Sequence, residues 1–161
     1  MTFNPGTKIA MRNLAKRAHI GIRRAEATDT DNLSNLTSEL ALDWPAMFAA
    51  SGVYSYLAEG DEPFGVVSVA PASQAQVDGA GEVVAWYLHP EFRGAGLGKK
   101  LLVHGLSVLK RRDFDVALIW VPETADEALE VLDGLRFVPD EVKPIGDVNL
   151  LLFTRNLDDY F

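Results

Sequence analysis

Between Gly81 and Leu109 the chain passes from a short apolar stretch, through a turn carrying three glycines in five positions, into an amphipathic helical pattern. The turn reads Leu88-His89-Pro90-Glu91-Phe92-Arg93-Gly94-Ala95-Gly96-Leu97-Gly98-Lys99-Lys100. Glycine has no Cβ, so the backbone N–H groups there stay open to an approaching anion. A helix start adds unpaired donors and the positive end of the helix dipole. Lys99 and Lys100 fall in that first turn, where a cation is disfavoured by about 0.3–1 kcal/mol unless an anion sits beside it. The segment reads as a phosphate site, and the fold must bring a strand end to a helix start to make it.

The flanking pattern supplies the remaining elements. His19 to Ala27 alternates as a first strand, and Thr28 to Asp31 offers a cap for a helix carried by Leu33, Leu36 and Leu40. A second short helical piece surrounds Trp44, Pro45, Met47 and Phe48. Val53 to Glu59 and Phe64 to Ala70 are strands joined at Gly60 and Asp61, and Pro71 to Ala80 is a polar loop leading into the strand Gly81 to Leu88. Gly96 to Leu109 is the helix, and Phe114 to Val121 is apolar throughout, as a buried parallel strand is. Thr124 with Glu127 forms a capping box for a helix that stops near Gly134, and Phe137 to Val142 and Val148 to Arg155 are closing strands. The order β-α-α-β-β-β-α-β-α-β-β predicts an α+β fold: a mixed, mostly antiparallel sheet with one parallel β-α-β crossover.

The 161 residues fit one domain, 19–161, behind a basic extension, 1–18. Residues 1–24 hold Lys8, Arg12, Lys16, Arg17, Arg23 and Arg24 and no acid, so all 23 acids follow. A basic, acid-free start also resembles a transit peptide, but a short extension is the plainer reading. The acidic remainder argues against nucleic acid and for a cationic partner. No apolar run reaches the roughly 18 residues of a membrane span. The absence of cysteine excludes disulfides, thiolate metal sites and a cysteine nucleophile, and agrees with a reducing, cytoplasmic compartment. His19, His89 and His104 are scattered, so no metal site is expected.

Two familiar phosphate motifs fail at the turn. Arg93 stands where the first P-loop glycine belongs and Lys100 where Ser or Thr belongs, while Lys99 replaces the third glycine of the dinucleotide fingerprint. What fits is Arg-x-x-Gly-x-Gly in Arg93, Gly96 and Gly98, which with Leu88, Pro90 and Phe92 resembles the coenzyme A signature of the GNAT superfamily of N-acyltransferases. An ordinary glycine turn feeding a helix is the plainer alternative, and the strand before it and amphipathic helix after it weigh against that.

The resemblance covers roughly residues 19–155 and implies a direct N-acetyltransferase using acetyl-coenzyme A, with Trp86, Leu88, His89, Arg93, Gly94, Ala95, Gly96, Leu97, Gly98 and Lys99 binding the coenzyme. It implies a V-shaped split between the strand ending at Leu88 and the strand Phe114 to Val121, with the pantetheine arm paired to backbone around Trp86 to Leu88. Glu82 matches the general-base glutamate of some members. It lies four residues before Trp86, about 13 Å along a strand, so it would work through water or on an acceptor lying between. A solvated strand-end carboxylate is the competing reading. Leu132 stands where many relatives carry a tyrosine general acid, with Arg136-Phe137 in place of Gly-Phe. Tyr87 is the remaining acid candidate, with packing as its ordinary role. Trp44 and Phe48 lie where the family walls its acceptor site. A non-catalytic acyl-coenzyme A binding or sensing domain is the alternative function, a different nucleotide-binding module a remote third, and a homodimer stays open.

Overall fold

The computed structural model describes residues 20–72 and 79–158. The basic stretch 1–18, His19 and the centre of the polar loop lie outside the described residues. Seven strands and four helices follow one another in the expected order: β1 (Gly21–Arg24), α1 (Thr30–Leu36), α2 (Trp44–Ala49), β2 (Tyr54–Glu59), β3 (Pro63–Pro71), β4 (Ala80–Leu88), α3 (Leu97–Arg111), β5 (Val116–Pro122), α4 (Asp126–Gly134), β6 (Val138–Ile145) and β7 (Val148–Asn156). The sheet order is β1-β2-β3-β4-β5-β7-β6. β4 and β5 run parallel, from Ala80↔Val116 to Val83↔Ile119, with α3 as their crossover. β1/β2, β5/β7 and β6/β7 are antiparallel, giving the mixed sheet read from the sequence.

Two compact units share β3, β4 and α3: one takes residues up to Ser68 with Ala85–Leu102, the other Val69–Val84 with the chain from Val103. In the first, Leu33, Trp44, Leu57 and Val66 are fully buried together with Ala25 and Tyr87. Trp44 does more than fill space. Its indole N–H donates to Thr37 Oγ1 at 2.9 Å, and that hydroxyl donates to Leu33 O at 2.8 Å. Burying a polar indole is tolerable only because it is satisfied in this way. Trp44 is therefore core, while Phe48 packs against it half-buried.

The entry to α1 differs in detail from the expected Thr28–Asp31 signal. A 3-10 turn, Ala27–Asp29, precedes the helix, and the capping carboxylate is Asp29, which accepts from Glu26 N–H at 2.8 Å. Asp29 also accepts from Arg23 at 3.0 and 2.8 Å, and Arg23 Nε reaches Glu59 at 2.7 Å, tying β1 to the turn and to β2.

In the second unit Ala80, Leu118 and Leu152 form a buried cluster. A Cβ on Gly81 would lie 2.5 Å from Leu109 Cδ2 and 3.1 Å from the Phe114 ring, so only glycine lets α3 close on β4 there. α4 begins at Asp126 behind Ala125 with no side-chain cap, so the Thr124–Glu127 box does not form; Asp126 and Glu127 favour the start through the dipole instead. The helix stops at Gly134, as read from the sequence. Just beyond it Arg136 takes the left-handed conformation, at φ 65°, and Phe137 N–H returns to Leu132 O at 3.0 Å. Buried Arg155 donates from Nε to Leu135 O at 2.6 Å, which favours a helix C-terminus.

Arg23 holds the Asp29 carboxyl below the usual carboxylate range, chiefly through the hydrogen bond. A depressed pKa contributes stability that is present above the unfolded value, about 3.9, and is lost as pH falls through the folded one. Asp29→Asn should therefore cost about 1.5–3 kcal/mol at pH 7. In urea titrations the gap from the parent protein should narrow as pH falls below the ordinary carboxylate range, and a pH-independent gap would remove the charge from the explanation.

Candidate functional site

The loop after β4 is held by side chains and carbonyl oxygens. His89 N–H donates to Phe64 O at 2.7 Å, and the Phe92 ring stacks on Phe64 with centroids 4.2 Å apart and planes within 4°. His89 Nδ1 accepts from Glu91 N–H at 3.1 Å, which requires a neutral ring, and burial lowers the His89 pKa to the same effect. Arg93 Nε donates to Leu88 O at 2.9 Å, folding the loop back onto the strand end, and its guanidinium lies 5.5 Å from the centre of the Tyr87 ring. Trp86 Nε1 donates to Gly98 O at 3.0 Å and so pins the first turn of α3. None of Phe64, the Trp86 indole bond or the Arg93–Leu88 bond carries a sequence signal, because each depends on which residues the sheet brings together.

What this bracing leaves is a row of donors. Gly94 and Gly96 adopt φ of 87° and 78°, the left-handed region that other residues enter at a cost of about 1–2 kcal/mol. Gly96 O accepts from Lys100 N–H at 3.1 Å, closing the first helical turn. The N–H groups of Gly94, Ala95, Gly96, Leu97, Gly98 and Lys99 meet no acceptor among the described residues. A Cβ built on Gly96 would meet nothing within 4 Å, so the space on that side of the turn is open. Lys99 and Lys100 are exposed and form no ion pair among the described residues. Open N–H donors, the positive end of a helix dipole and two exposed lysines in one turn are the ingredients of a phosphate site.

The other candidates fall as follows. Gly81 turns its missing Cβ toward Leu109 of α3, so Glu82, the next residue, leaves β4 on the opposite face. It is half-buried, and burial raises its pKa. Trp86 reaches α3, so Tyr87 too points away from that helix, and its hydroxyl donates to the Glu39 carboxylate. Burial first, and the bond to Glu39 second, push the Tyr87 pKa up to about 12. Glu39, on the 3-10 turn Ser38–Leu40, was not singled out by the sequence, since a lone carboxylate in a polar turn carries no pattern. Leu132 is fully buried. Among the described residues no three His, Asp or Glu side chains converge as a metal site, and no helix is long and apolar enough to cross a membrane.

The two glycines of the Arg-x-x-Gly-x-Gly motif, Gly96 and Gly98, behave differently. A Cβ on Gly98 would sit 3.8 Å from Trp86 and 3.9 Å from Leu88, at ordinary contact distance. Gly98→Ala should therefore stabilise α3 by up to about 1 kcal/mol and keep coenzyme A affinity within a few-fold. Gly96→Val should combine a left-handed backbone penalty with blocked anion approach and lose at least 30-fold in affinity. Calorimetry with coenzyme A and thermal melts on both variants check this; equal affinities would move the anion away from this turn.

Residues 10–132 match the family model of the acetyltransferase (GNAT) family. Over 67 residues the chain is 37% identical to mycothiol acetyltransferase of Thermobispora bispora, a stretch that makes up 39% of this chain and 23% of that protein. The chain thus spans under a quarter of that curated relative. Among solved structures, the Escherichia coli ribosomal-protein-S18-alanine N-acetyltransferase superposes with a TM-score of 0.71 at 16% identity, over 88% of this chain and 99% of that one. Arabidopsis thaliana NAA60, solved with a bisubstrate analogue, gives 0.72 at 14% identity, over 85% and 97%. Salmonella typhimurium yncA, solved with its cofactor acetyl-CoA, gives 0.71 at 19% identity, over 89% and 97%. These structural likenesses speak to the fold, and the family match over three quarters of the sequence speaks to descent: the chain belongs to the GNAT acetyltransferase family.

Proposed function

We propose that this protein is an acyltransferase that moves an acetyl group from acetyl-coenzyme A directly to a primary amine. The observation that carries the reading is the open row of N–H donors from Gly94 to Lys99 at the start of α3, flanked by two lysines. Coenzyme A supplies the activated acyl thioester. The loop's part is to bind the pyrophosphate and fix the coenzyme along the end of β4, where Trp86 and Leu88 offer backbone to the pantetheine arm. Arg93 contributes by setting the loop onto Leu88 O, with the rest of its guanidinium beside the phosphates.

Glu82 is assigned the proton that the acceptor must lose before attack. A half-buried carboxylate with a raised pKa is a better base near neutrality than a solvated one. Tyr87 is assigned to holding Glu39, because its proton already points there. With Leu132 in the core, the thiolate leaves without a tyrosine on α4 to protonate it. The same observation favours the second reading, a coenzyme-binding domain without transfer. The cytoplasmic location rests on the cysteine-free composition.

Release of free thiol from acetyl-coenzyme A, followed across an amine panel, separates the two: amine-dependent release supports transfer, and tight coenzyme binding with no release supports the sensing domain. Glu82→Gln should lower kcat by about 100-fold with little change in coenzyme affinity, and flatten the acidic limb of the pH–rate profile. Near-parental turnover at every pH would leave solvent as the base.

The acceptor is proposed to be cationic. After residue 24, nine Lys and Arg face 23 acids, a formal charge of −14. Arg93, Lys99 and Lys100, three of the nine, are assigned to the coenzyme side. Steering by such a field weakens as the Debye length falls from about 10 Å at 0.1 M salt to about 3 Å at 1 M. The kcat/KM for the best acceptor should drop at least several-fold over that range; a salt-independent value would mean that the acids merely keep the surface charged.

A further inference from the structure

Glu39 stands out among the acids near the coenzyme loop because it is held but not neutralised. Its turn is fixed to the core: Leu40 N–H donates to Thr37 O at 2.9 Å, and Thr37, 1% exposed, is bonded to Leu33 O and to the indole of fully buried Trp44. Ala41, at φ 51°, closes the turn in the left-handed region. The carboxylate is exposed at its outer side while its Oε1 takes the proton of Tyr87, a residue 8% exposed. Both ends of the side chain are thus located by buried groups, the arrangement that functional residues need for precision.

Its charge is what a purely structural bond would not need. A Tyr hydroxyl needs only an acceptor, which a glutamine amide oxygen supplies equally well. The structural acids of this unit are treated otherwise: Asp29 and Glu59 are both paired with Arg23, and these are the ion pairs among the described residues. Glu39 has no such cation within ion-pair distance among them; Arg93, over the Tyr87 ring, acts on the same hydroxyl but is committed to Leu88 O. One phenol proton leaves most of a carboxylate's roughly four acceptor positions unused. Tyr87 in turn precedes Leu88, whose carbonyl is held by Arg93 of the coenzyme loop. The charge is therefore moored to the strand end from which the coenzyme is bound, on the side facing away from α3.

We propose that Glu39 is a specificity-determining residue that receives a second, non-reacting cation of the acceptor, an ammonium or guanidinium, with Tyr87 fixing its carboxylate. The assignment to a second cation follows from proton bookkeeping. A second carboxylate beside the reacting ammonium, in addition to the base Glu82, would favour its charged form and oppose the deprotonation that attack requires. Beside a distal cation it binds and orients without that cost. This inference rests on the acetyl-transfer reading, and it narrows the acceptor to diamines, basic amino acids or their peptides.

Matched amines provide the test. 1,4-Diaminobutane and 4-aminobutan-1-ol differ only in whether the far end is cationic, and lysine amide and norleucine amide form a second pair. The parent protein should favour the cationic member of each pair at least tenfold in kcat/KM. In Glu39→Gln that ratio should fall to about two or less, with the melting temperature and coenzyme A affinity retained. Tyr87→Phe, which keeps the charge but frees the carboxylate, should give an intermediate ratio. A ratio unchanged in Glu39→Gln, or no preference in the parent, overturns the proposal. Calorimetric titration of 1,4-diaminobutane into the coenzyme A-loaded protein keeps the two readings apart. Diamine binding that weakens tenfold in Glu39→Gln without any thiol release would sustain Glu39 as a cation site and sink acetyl transfer. Thiol release that is indifferent to Glu39 would do the reverse.

Discussion

The structure turns on one unsatisfied need: a helix start has backbone donors with no partner of its own, and here they are deliberately left so. The bonds that brace the loop use oxygen atoms as acceptors and side chains as clamps. Leu88 O takes Arg93, Gly98 O takes Trp86, Phe64 O takes His89, and Phe92 stacks on Phe64. Rigidity is gained without consuming the N–H groups of Gly94 to Lys99. Had the loop been braced through those groups, it would be as firm but could not receive an anion. A loop braced in this way loses less conformational freedom when a ligand is bound than an unbraced one would.

A single strand braces two places by alternation. Trp86 turns to α3 and holds the glycine turn, while Tyr87 turns away from α3 and holds Glu39. Arg93 bridges them, bonded to the backbone of Leu88 and lying over the Tyr87 ring. A lysine at Arg93 would supply charge but not the planar fork that can meet a carbonyl on one edge and lie beside an aromatic face.

Element order, the parallel crossover and the glycine turn were legible in the sequence because each has a local signature: alternation, helical spacing, or glycine where a left-handed backbone is needed. Local signatures also misled at element ends. Thr124 and Glu127 have the spacing of a capping box, but the helix starts behind Ala125 with no side-chain cap. Backbone geometry at these ends is set by how Phe137 and Leu132 seat in the core, which spacing does not encode. The site was half visible for the same reason. Gly94, Gly96 and Gly98 announce themselves, whereas Glu39 meets Tyr87 across 48 positions of sequence and can be recognised only once the chain is folded.

The proton economy of the site decides what Tyr87 can do. Its pKa is pushed up to about 12, against about 8.5 for a cysteine-like thiol. Passing its proton to the leaving thiolate would run uphill by roughly 5 kcal/mol at the end of the transfer. A free thiolate at pH 7, by contrast, lies only about 2 kcal/mol above its thiol. For the proposed transfer, unassisted departure would be the lower route, needing nothing at the place where Leu132 fills the core. The tyrosine that a donor role would have to detach from Glu39 is better employed keeping it in place. On the proposed reading, proton removal falls to Glu82 and the holding of charge to Glu39.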